Sequence, residues 1–440
     1  MESSVGQVHR HKSAGSGPVA RLRVNRPAGR LASTRTLAAL ALIAASAVGW
    51  GQDWPQFRGP NRDGVVPVRE SLPQFPSGGP QLIWDRTVGS GFSGPTVAGE
   101  WLLLFHRQGS NEVVEALRAA DGNSLWKFAY ETTYKDDFGF ENGPRATPVI
   151  ADGRVFTFGA AGVLHCLDLE TGAKQWSVDT HAEFGVRKGF FGAASTPLVL
   201  DGRVIANIGG PDGSGIVAFD AGSGATVWAA TDDDASYSSP VAARIDGALL
   251  AIFFTREGLV ALEPETGQVV YQRRWRSRSR ASVNAAAPIV LGDIVFLSAS
   301  YGTGAIATRL REGEMEVLWS GEDVIDNHYS SCVRSGSTLF GFHGRQEYGQ
   351  SFRAADLVTG DVLWSSERMP AGSVIRVGDR LLLLLESGEL LLAAASREKF
   401  EVLSRAQILG RETRAFPAVA SGLLFARDKD TLVCLRLWNQ

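Results

Sequence analysis

Asp168-Leu169-Glu170-Thr171-Gly172-Ala173-Lys174-Gln175-Trp176 reads as the end of one β-strand, a tight turn and the start of the next. Asp168 can accept hydrogen bonds from the turn's own backbone, and Gly172 supplies the positive φ that the turn requires. Trp176 then presents a large apolar face sideways from the returning strand. The same phrase recurs along the chain. Asp220-Ala-Gly-Ser-Gly224 leads to Trp228, Glu263-Pro-Glu-Thr-Gly267 to Tyr271, Asp356-Leu-Val-Thr-Gly360 to Trp364, and a shortened Asp121-Gly122 to Trp126. Trp84 and Trp319 keep the beat without the Asp-Thr-Gly turn. The spacings from 84 to 126, 176, 228, 271, 319 and 364 are 42, 50, 52, 43, 48 and 45 residues. A period of that size belongs to radial β repeats with four strands to a blade.

Between those turns each repeat follows one grammar. A Ser/Thr-Pro and an apolar strand open it, a Gly turn and a strongly apolar strand follow, the third strand ends in Leu-Asp, and the fourth carries the Trp. Repeat two is Thr147-Pro-Val-Ile150, Arg154-Val-Phe-Thr-Phe158, Val163-Leu-His-Cys-Leu167 and Gln175-Trp-Ser-Val178. Opening strands near residues 94, 147, 196, 239, 287, 331, 373 and 416 make eight repeats. The last has three strands and no fourth, whereas Gln81-Leu-Ile-Trp84-Asp-Arg-Thr-Val88 is a fourth-type strand with no blade before it. The expectation is therefore an all-β, eight-bladed β-propeller of four-stranded antiparallel blades with Trp-docking repeats over residues 81–438. Its N-terminal strand closes the last blade, which leaves no large exposed sheet edge at the seam.

Of the 440 residues, 44% are hydrophobic and 21% charged, ordinary values for a globular protein. The formal net charge is −3, but the first 47 residues hold seven Lys/Arg and one Glu, so the remainder carries 37 basic and 46 acidic residues, or −9. A body that acidic is a poor nucleic-acid binder. Arg273, Arg274, Arg276, Arg278 and Arg280 form a basic run that reads as a solvated loop or strand edge. Residues 1–36 are rich in Arg, Gly and Ser and read as a disordered leader. Leu37 to Val48 gives about a dozen apolar residues, which suits a signal-peptide core and is too short to span a bilayer. With Ala45-Ser46-Ala47 as a small-x-small cleavage site, residues 1–47 are expected to be removed from an exported, periplasmic or envelope protein with no integral membrane segment. Residues 48–80 then form an N-terminal strap laid over the ring.

The Asp-x-x-Thr-Gly-x-x-x-Trp repeat resembles the pyrroloquinoline-quinone (PQQ) repeat of eight-bladed propellers. Trp54-Pro-Gln-Phe-Arg-Gly-Pro-Asn-Arg-Asp-Gly64 resembles the start of an exported bacterial subgroup of PQQ-like propeller proteins. The similarity covers about residues 53–438. Such propellers include quinoprotein dehydrogenases and an outer-membrane assembly scaffold, and in both the Trp motif docks blade against blade. The resemblance to the dehydrogenases would imply an adjacent Cys pair under the quinone, a Ca²⁺ held by carboxylate and amide groups, and a catalytic Asp. Here Cys166, Cys332 and Cys434 are not adjacent and read as small buried hydrophobes. Asp232-Asp-Asp-Ala-Ser236 lacks the alternating ligands of a calcium loop, and the seven His show no His-x-x-x-His. The expectation is a monomeric, non-catalytic binding scaffold with no cofactor and no metal. The alternative is a PQQ- and calcium-dependent quinoprotein dehydrogenase.

The loops entering the opening strands are long and polar-aromatic, and a propeller gathers them on one face around the channel mouth. Arg145, Arg187, Tyr237, His328 and Arg414 are the candidate ring for a protein partner or small ligand. Three Arg on an acidic body favour an anionic or peptide-carboxylate group through bidentate hydrogen bonds. The competing account pairs each Arg internally with Glu141, Asp234 or Glu412.

Overall fold

The computed structural model describes residues 53–438, apart from 67, 69, 70 and 281. The leader and signal-peptide reading of residues 1–47 lies outside the described residues. Eight antiparallel, four-stranded blades follow one another around the ring, as the repeat count requires. Blades 1 to 7 run over residues 96–131, 149–179, 198–230, 241–274, 289–321, 333–369 and 372–407. Blade 8 takes three strands from residues 418–436 and its outermost strand from Gln81–Thr87, with Trp84 opposite Cys434. Each blade's two middle strands lie between neighbouring blades and are buried along their length, as in Val155–Phe158 and Leu164–Leu167. The outermost strands alternate, as in Ser124–Glu131, because one face meets solvent.

The organising turn has the predicted chemistry. Asp168 Oδ1 accepts the Thr171 N–H at 2.9 Å and the Thr171 hydroxyl at 2.7 Å, and Gly172 has φ 71°. The Trp that precedes each such turn by one blade docks upon it. Trp126 donates its indole N–H to Leu169 O at 2.9 Å, and a Cβ on Gly172 would lie 2.4 Å from the ring. Trp176 uses Ala221 O at 3.0 Å, Trp228 Pro264 O at 3.0 Å, and Trp319 Leu357 O at 2.9 Å. Trp84 closes the ring on Ala119 O of blade 1 at 3.0 Å. Glycine at these turns thus answers two demands, a left-handed backbone and a flat seat for an indole. Tyr271, which stands in for Trp in blade 4, reaches blade 5 with its hydroxyl, accepting the Gly313 N–H at 3.2 Å.

The seam between blades 7 and 8 is built differently. Ser404 stands opposite Leu392, the register position that Trp126 holds opposite Ala116. The strap covers that place: Phe75 N–H donates to Ser404 Oγ at 3.0 Å, and Leu72 and Phe75 join the buried cluster that includes Leu382, Leu392 and Leu435.

Further upstream the strap does more than lie over the ring. It enters the channel from the face that carries the Asp-Thr-Gly turns. Trp54 exchanges both backbone hydrogen bonds with Val97 of blade 1, at 2.8 and 2.9 Å, and Pro55 O accepts the Ile150 N–H of blade 2 at 2.8 Å. Arg62 donates to Thr196 O at 3.2 Å, Pro240 O at 2.9 Å and Pro197 O, and Arg58 to Cys332 O and to Asp63 O at 2.8 Å. Val65–Val66 leaves the channel as a short parallel partner of Gly372–Val377 in blade 7. The innermost strands turn carbonyls towards the axis, where no next strand can satisfy them, and the two buried guanidiniums supply the donors. Burial lowers Arg58 to about 10 and Arg62 to about 9, so both stay cationic at neutral pH.

One short α-helix, Thr180–Phe184, was not apparent in the sequence. The Asp179 side chain caps it by accepting the N–H groups of His181 and Ala182 at 3.0 and 3.1 Å. Among the described residues no helix is long and apolar enough to cross a membrane.

Candidate functional site

In a four-stranded antiparallel blade, the link into the next blade and the hairpin between strands two and three leave by the same edge. Both kinds of connector therefore surround the channel mouth, where they enclose a cavity of about 260 Å³. Its floor is Phe57, at the tip of the strap, packed edge-on against Phe416 at 5.4 Å. Four of the five candidates, Arg145, Tyr237, His328 and Arg414, line this cavity.

Arg145 is largely engaged within its own loop. Its guanidinium donates to Asp136 Oδ2 at 3.3 Å, Glu141 O at 2.9 Å and the Tyr134 hydroxyl at 3.3 Å, and its side chain is 10% exposed. Asp136 Oδ2 also accepts the N–H groups of Phe140 and Glu141, at 2.8 and 3.0 Å, so the ion pair fastens the loop that carries Phe140. Arg414 is freer. Its Nε lies 2.6 Å from Glu386 Oε1, which also accepts the Tyr329 hydroxyl at 2.6 Å. Its terminal nitrogens make no hydrogen bond among the described residues, and the side chain is 24% exposed. Phe92 sits between the two cations, 5.7 Å from the Arg145 guanidinium and 5.5 Å from that of Arg414.

The other wall is aromatic. The Tyr237 hydroxyl accepts the Phe191 N–H at 3.0 Å, and burial raises its phenol. His328 is buried, with Nε2 2.9 Å from the Tyr301 hydroxyl and its ring against Tyr301 and Tyr329. Burial lowers its pKa and keeps the imidazole neutral at pH 7. The mouth thus offers ring faces, a guanidinium with open donors and a neutral imidazole, a combination suited to binding.

Arg187 is not part of this group. It is exposed and lines a second cavity of about 830 Å³ on the same face, which shares Tyr237 and Ala194 with the mouth. The internal partners also differ from those the sequence suggested. Asp136 and Glu386 hold the two arginines, and of the named three only Glu141 takes part, through its backbone carbonyl. Sequence reasoning missed Phe57, Tyr301 and Glu347 as lining residues. Tyr301 and Glu347 lie on hairpins between strands two and three, so the shared edge of the two connector types was the available signal. Nothing in the sequence signalled that Phe57 would reach the mouth from inside the channel.

The lining does not fit a calcium ion held with a quinone. Glu347 is 2.6 Å from Arg345 and Glu386 2.6 Å from Arg414, so both nearby carboxylates already have cationic partners. Among the described residues no group of three or more His, Cys, Asp or Glu could hold a metal. Cys166, Cys332 and Cys434 are free and buried singly, and burial pushes each thiol up to about 12. Asp233 of the acidic cluster accepts the Thr255 hydroxyl at 2.5 Å, and Asp232 the Gly213 N–H at 2.6 Å.

Fold and mouth together define an eight-bladed propeller of the PQQ-repeat type with a channel stoppered from one side and open at the other. Residues 110–366 match the family described as outer membrane protein assembly factor BamB, and the chain belongs to that family. Among solved structures it is similar to BamB from Moraxella catarrhalis, with 16% identity, a TM-score of 0.58, and coverage of 81% of this chain and 97% of that one. The quinohemoprotein alcohol dehydrogenase of Comamonas testosteroni gives 14% identity and a TM-score of 0.51 over 88% of this chain and 81% of that one. Both likenesses concern the fold. A curated relative, the quinohemoprotein alcohol dehydrogenase ADH-IIG of Pseudomonas putida, is 28% identical over 124 residues, which span 27% of this chain and 17% of that protein.

Proposed function

We propose that this chain is an exported, monomeric, non-catalytic scaffold of the cell envelope that binds a partner protein at the channel mouth. The observation that carries the reading is Arg414, which lines the cavity with its guanidinium over Phe92 and Phe140 and its terminal nitrogens without a hydrogen bond among the described residues. Large cations and aromatics in such a pocket are the residue types that dominate binding energy at protein interfaces. Membership of a family described by outer membrane protein assembly supports a role beside other envelope proteins. The short apolar run before Ala45-Ser46-Ala47 supports export. Affinity capture of the mature chain from its own envelope fraction, followed by mass spectrometry, is expected to return a defined partner that the Arg414→Ala variant does not retain.

The resemblance to quinohemoprotein alcohol dehydrogenases favours a second reading, a PQQ-dependent dehydrogenase. Incubation with PQQ and Ca²⁺ separates the two. The scaffold reading expects no stoichiometric complex and no dye-linked alcohol oxidation, and a tight quinone complex with that activity would overturn it.

A further inference from the structure

The binding face extends beyond the mouth. At about 260 Å³ the mouth is smaller than the ~300–1,000 Å³ of most small-molecule sites, which suits one inserted group rather than a whole ligand. Beside it, across Tyr237, lies the cavity of about 830 Å³. Among the aromatic side chains exposed on the loops of this face, three cluster together: Phe138 at 54%, Phe140 at 56% and Phe190 at 39%. They lie against one another, with Phe138 6.4 Å from Phe140 and 6.1 Å from Phe190. Exposed ring clusters of this kind mark protein-binding surfaces.

Charge in the larger cavity decides what sort of protein segment fits. Of its cations, Lys188 is paired with Asp137 at 2.7 Å and Arg276 with Glu257. Arg187, Arg256 and Arg280 form no ion pair among the described residues. Arg256 is half-buried, stacked over Phe190 at 5.7 Å, and donates to Arg280 O at 2.6 Å, so its guanidinium is held in place without a carboxylate in ion-pair contact. Asp212, Asp232 and Asp234 line the same cavity. Three carboxylates set among the cations disfavour a ligand that is negative along its whole length, such as a polyphosphate or a nucleic acid. A peptide brings a few carboxylates for the arginines together with backbone N–H groups for the aspartates, and meets both signs.

We infer that the two cavities form one groove for an extended, acidic-aromatic peptide segment of the partner. An aromatic side chain seats in the mouth, and Asp or Glu side chains a few positions away lie on Arg187, Arg256 and Arg280. At about 3.3 Å per extended residue, a short segment crosses the shared Tyr237 wall. This inference rests on the scaffold reading and adds the chemistry of the partner.

The test is selection of a phage-displayed library of random linear peptides on the mature chain, followed by fluorescence anisotropy of the enriched peptides in synthetic form. Enrichment of sequences with an aromatic residue and at least two Asp or Glu nearby is expected. Replacing that aromatic by Ala, or using Arg414→Ala protein, should abolish binding. Arg256→Ala with Arg280→Ala should weaken it about tenfold, and rising salt should weaken it further. Enriched peptides without acidic residues, lost in Arg414→Ala but indifferent to Arg256→Ala with Arg280→Ala, would overturn the acidic segment and leave the mouth as the binding site. Peptides indifferent to all three substitutions, or a selection that enriches nothing, would overturn both. Displacement of a bound peptide by inorganic polyphosphate at comparable concentration would show a general anion site and also overturn the inference.

Discussion

The outer belt of tryptophans and the aromatic ring at the mouth use similar side chains to opposite ends. In the belt each docked indole has a carbonyl for its N–H and a filled seat for its ring, a glycine turn for Trp319 at Leu357 O and Gly360, and Phe400 for Trp364 at Ser396 O. At the mouth Phe92 and Phe140 lie under Arg414, which lines the cavity and whose terminal nitrogens make no hydrogen bond among the described residues. A residue type alone therefore does not separate a structural from a binding position. What separates them is whether the folded chain completes the side chain's interactions or leaves them open.

The largest effect that this contrast predicts concerns the belt's closure. Deleting residues 81–88 removes the outermost strand of blade 8 and Trp84 with it, so that Thr431–Arg436 becomes an unpaired edge. Trp84 is half-buried, so its loss costs somewhat less than the roughly 3–5 kcal/mol of a fully buried aromatic, but a whole ladder of strand hydrogen bonds goes with it. Aggregation, or a steep fall in Tm by calorimetry, is the expected outcome. A deletion variant that melts like the parent chain would place the closure elsewhere.

Next in size is Trp176→Ala, which removes a buried belt indole and is expected to cost about 3–5 kcal/mol in chemical denaturation. Arg62→Met belongs close behind, because it strips donors from three buried carbonyls, and each such group left unsatisfied costs about 1–3 kcal/mol. A variant with unchanged stability would show that water replaces the guanidinium in the channel.

Much of the belt was legible in the sequence because each of its parts is local. Asp168, Thr171, Gly172 and Trp176 lie within one hairpin, and repetition multiplied the signal. The position of Gln81–Thr87 in blade 8 was legible for a related reason, since a fourth-type strand without a blade can only complete a blade without a fourth strand. The seventh seam was not, because Ser404 and Phe75 are distant in sequence and share no motif. The plug was illegible for the same reason. Arg58 and Arg62 look like turn residues until the fold brings carbonyls of blades 3, 4 and 6 to the axis. At the mouth, the loops could be placed on one face, but not the pairings of Arg145 with Asp136 and of Arg414 with Glu386, nor the separation of Arg187 into its own cavity.

A smaller effect comes from pH. Glu115 is a buried carboxylate between blades 1 and 8. Burial would raise its pKa, but the neighbouring His106, at 3.4 Å, and Ser124 side chains and the charges of Arg86 and Lys127 outweigh that and hold it at about 2. A carboxylate lowered from 4.5 in this way stabilises the fold fully above pH 4.5, and that contribution disappears as pH falls towards 2. Glu115→Gln should therefore lower stability at pH 7 by about 1–3 kcal/mol and narrow the gap in Tm between pH 7 and pH 3. An unchanged gap would assign acid sensitivity to other groups.

The smallest change in stability is expected at Arg414, whose ion pair is partly exposed and of the kind worth about 0–1 kcal/mol. Arg414→Ala therefore separates a binding mouth from a structural belt with little disturbance of the fold. Thermal melting and envelope capture should be measured side by side on the same preparations of Arg414→Ala and the parent chain. If the mouth binds the partner, the variant's Tm lies within about a degree or two of the parent while the captured partner is lost. A variant that keeps its partner while its Tm falls by several degrees would show that the mouth, like the belt, only holds the ring together.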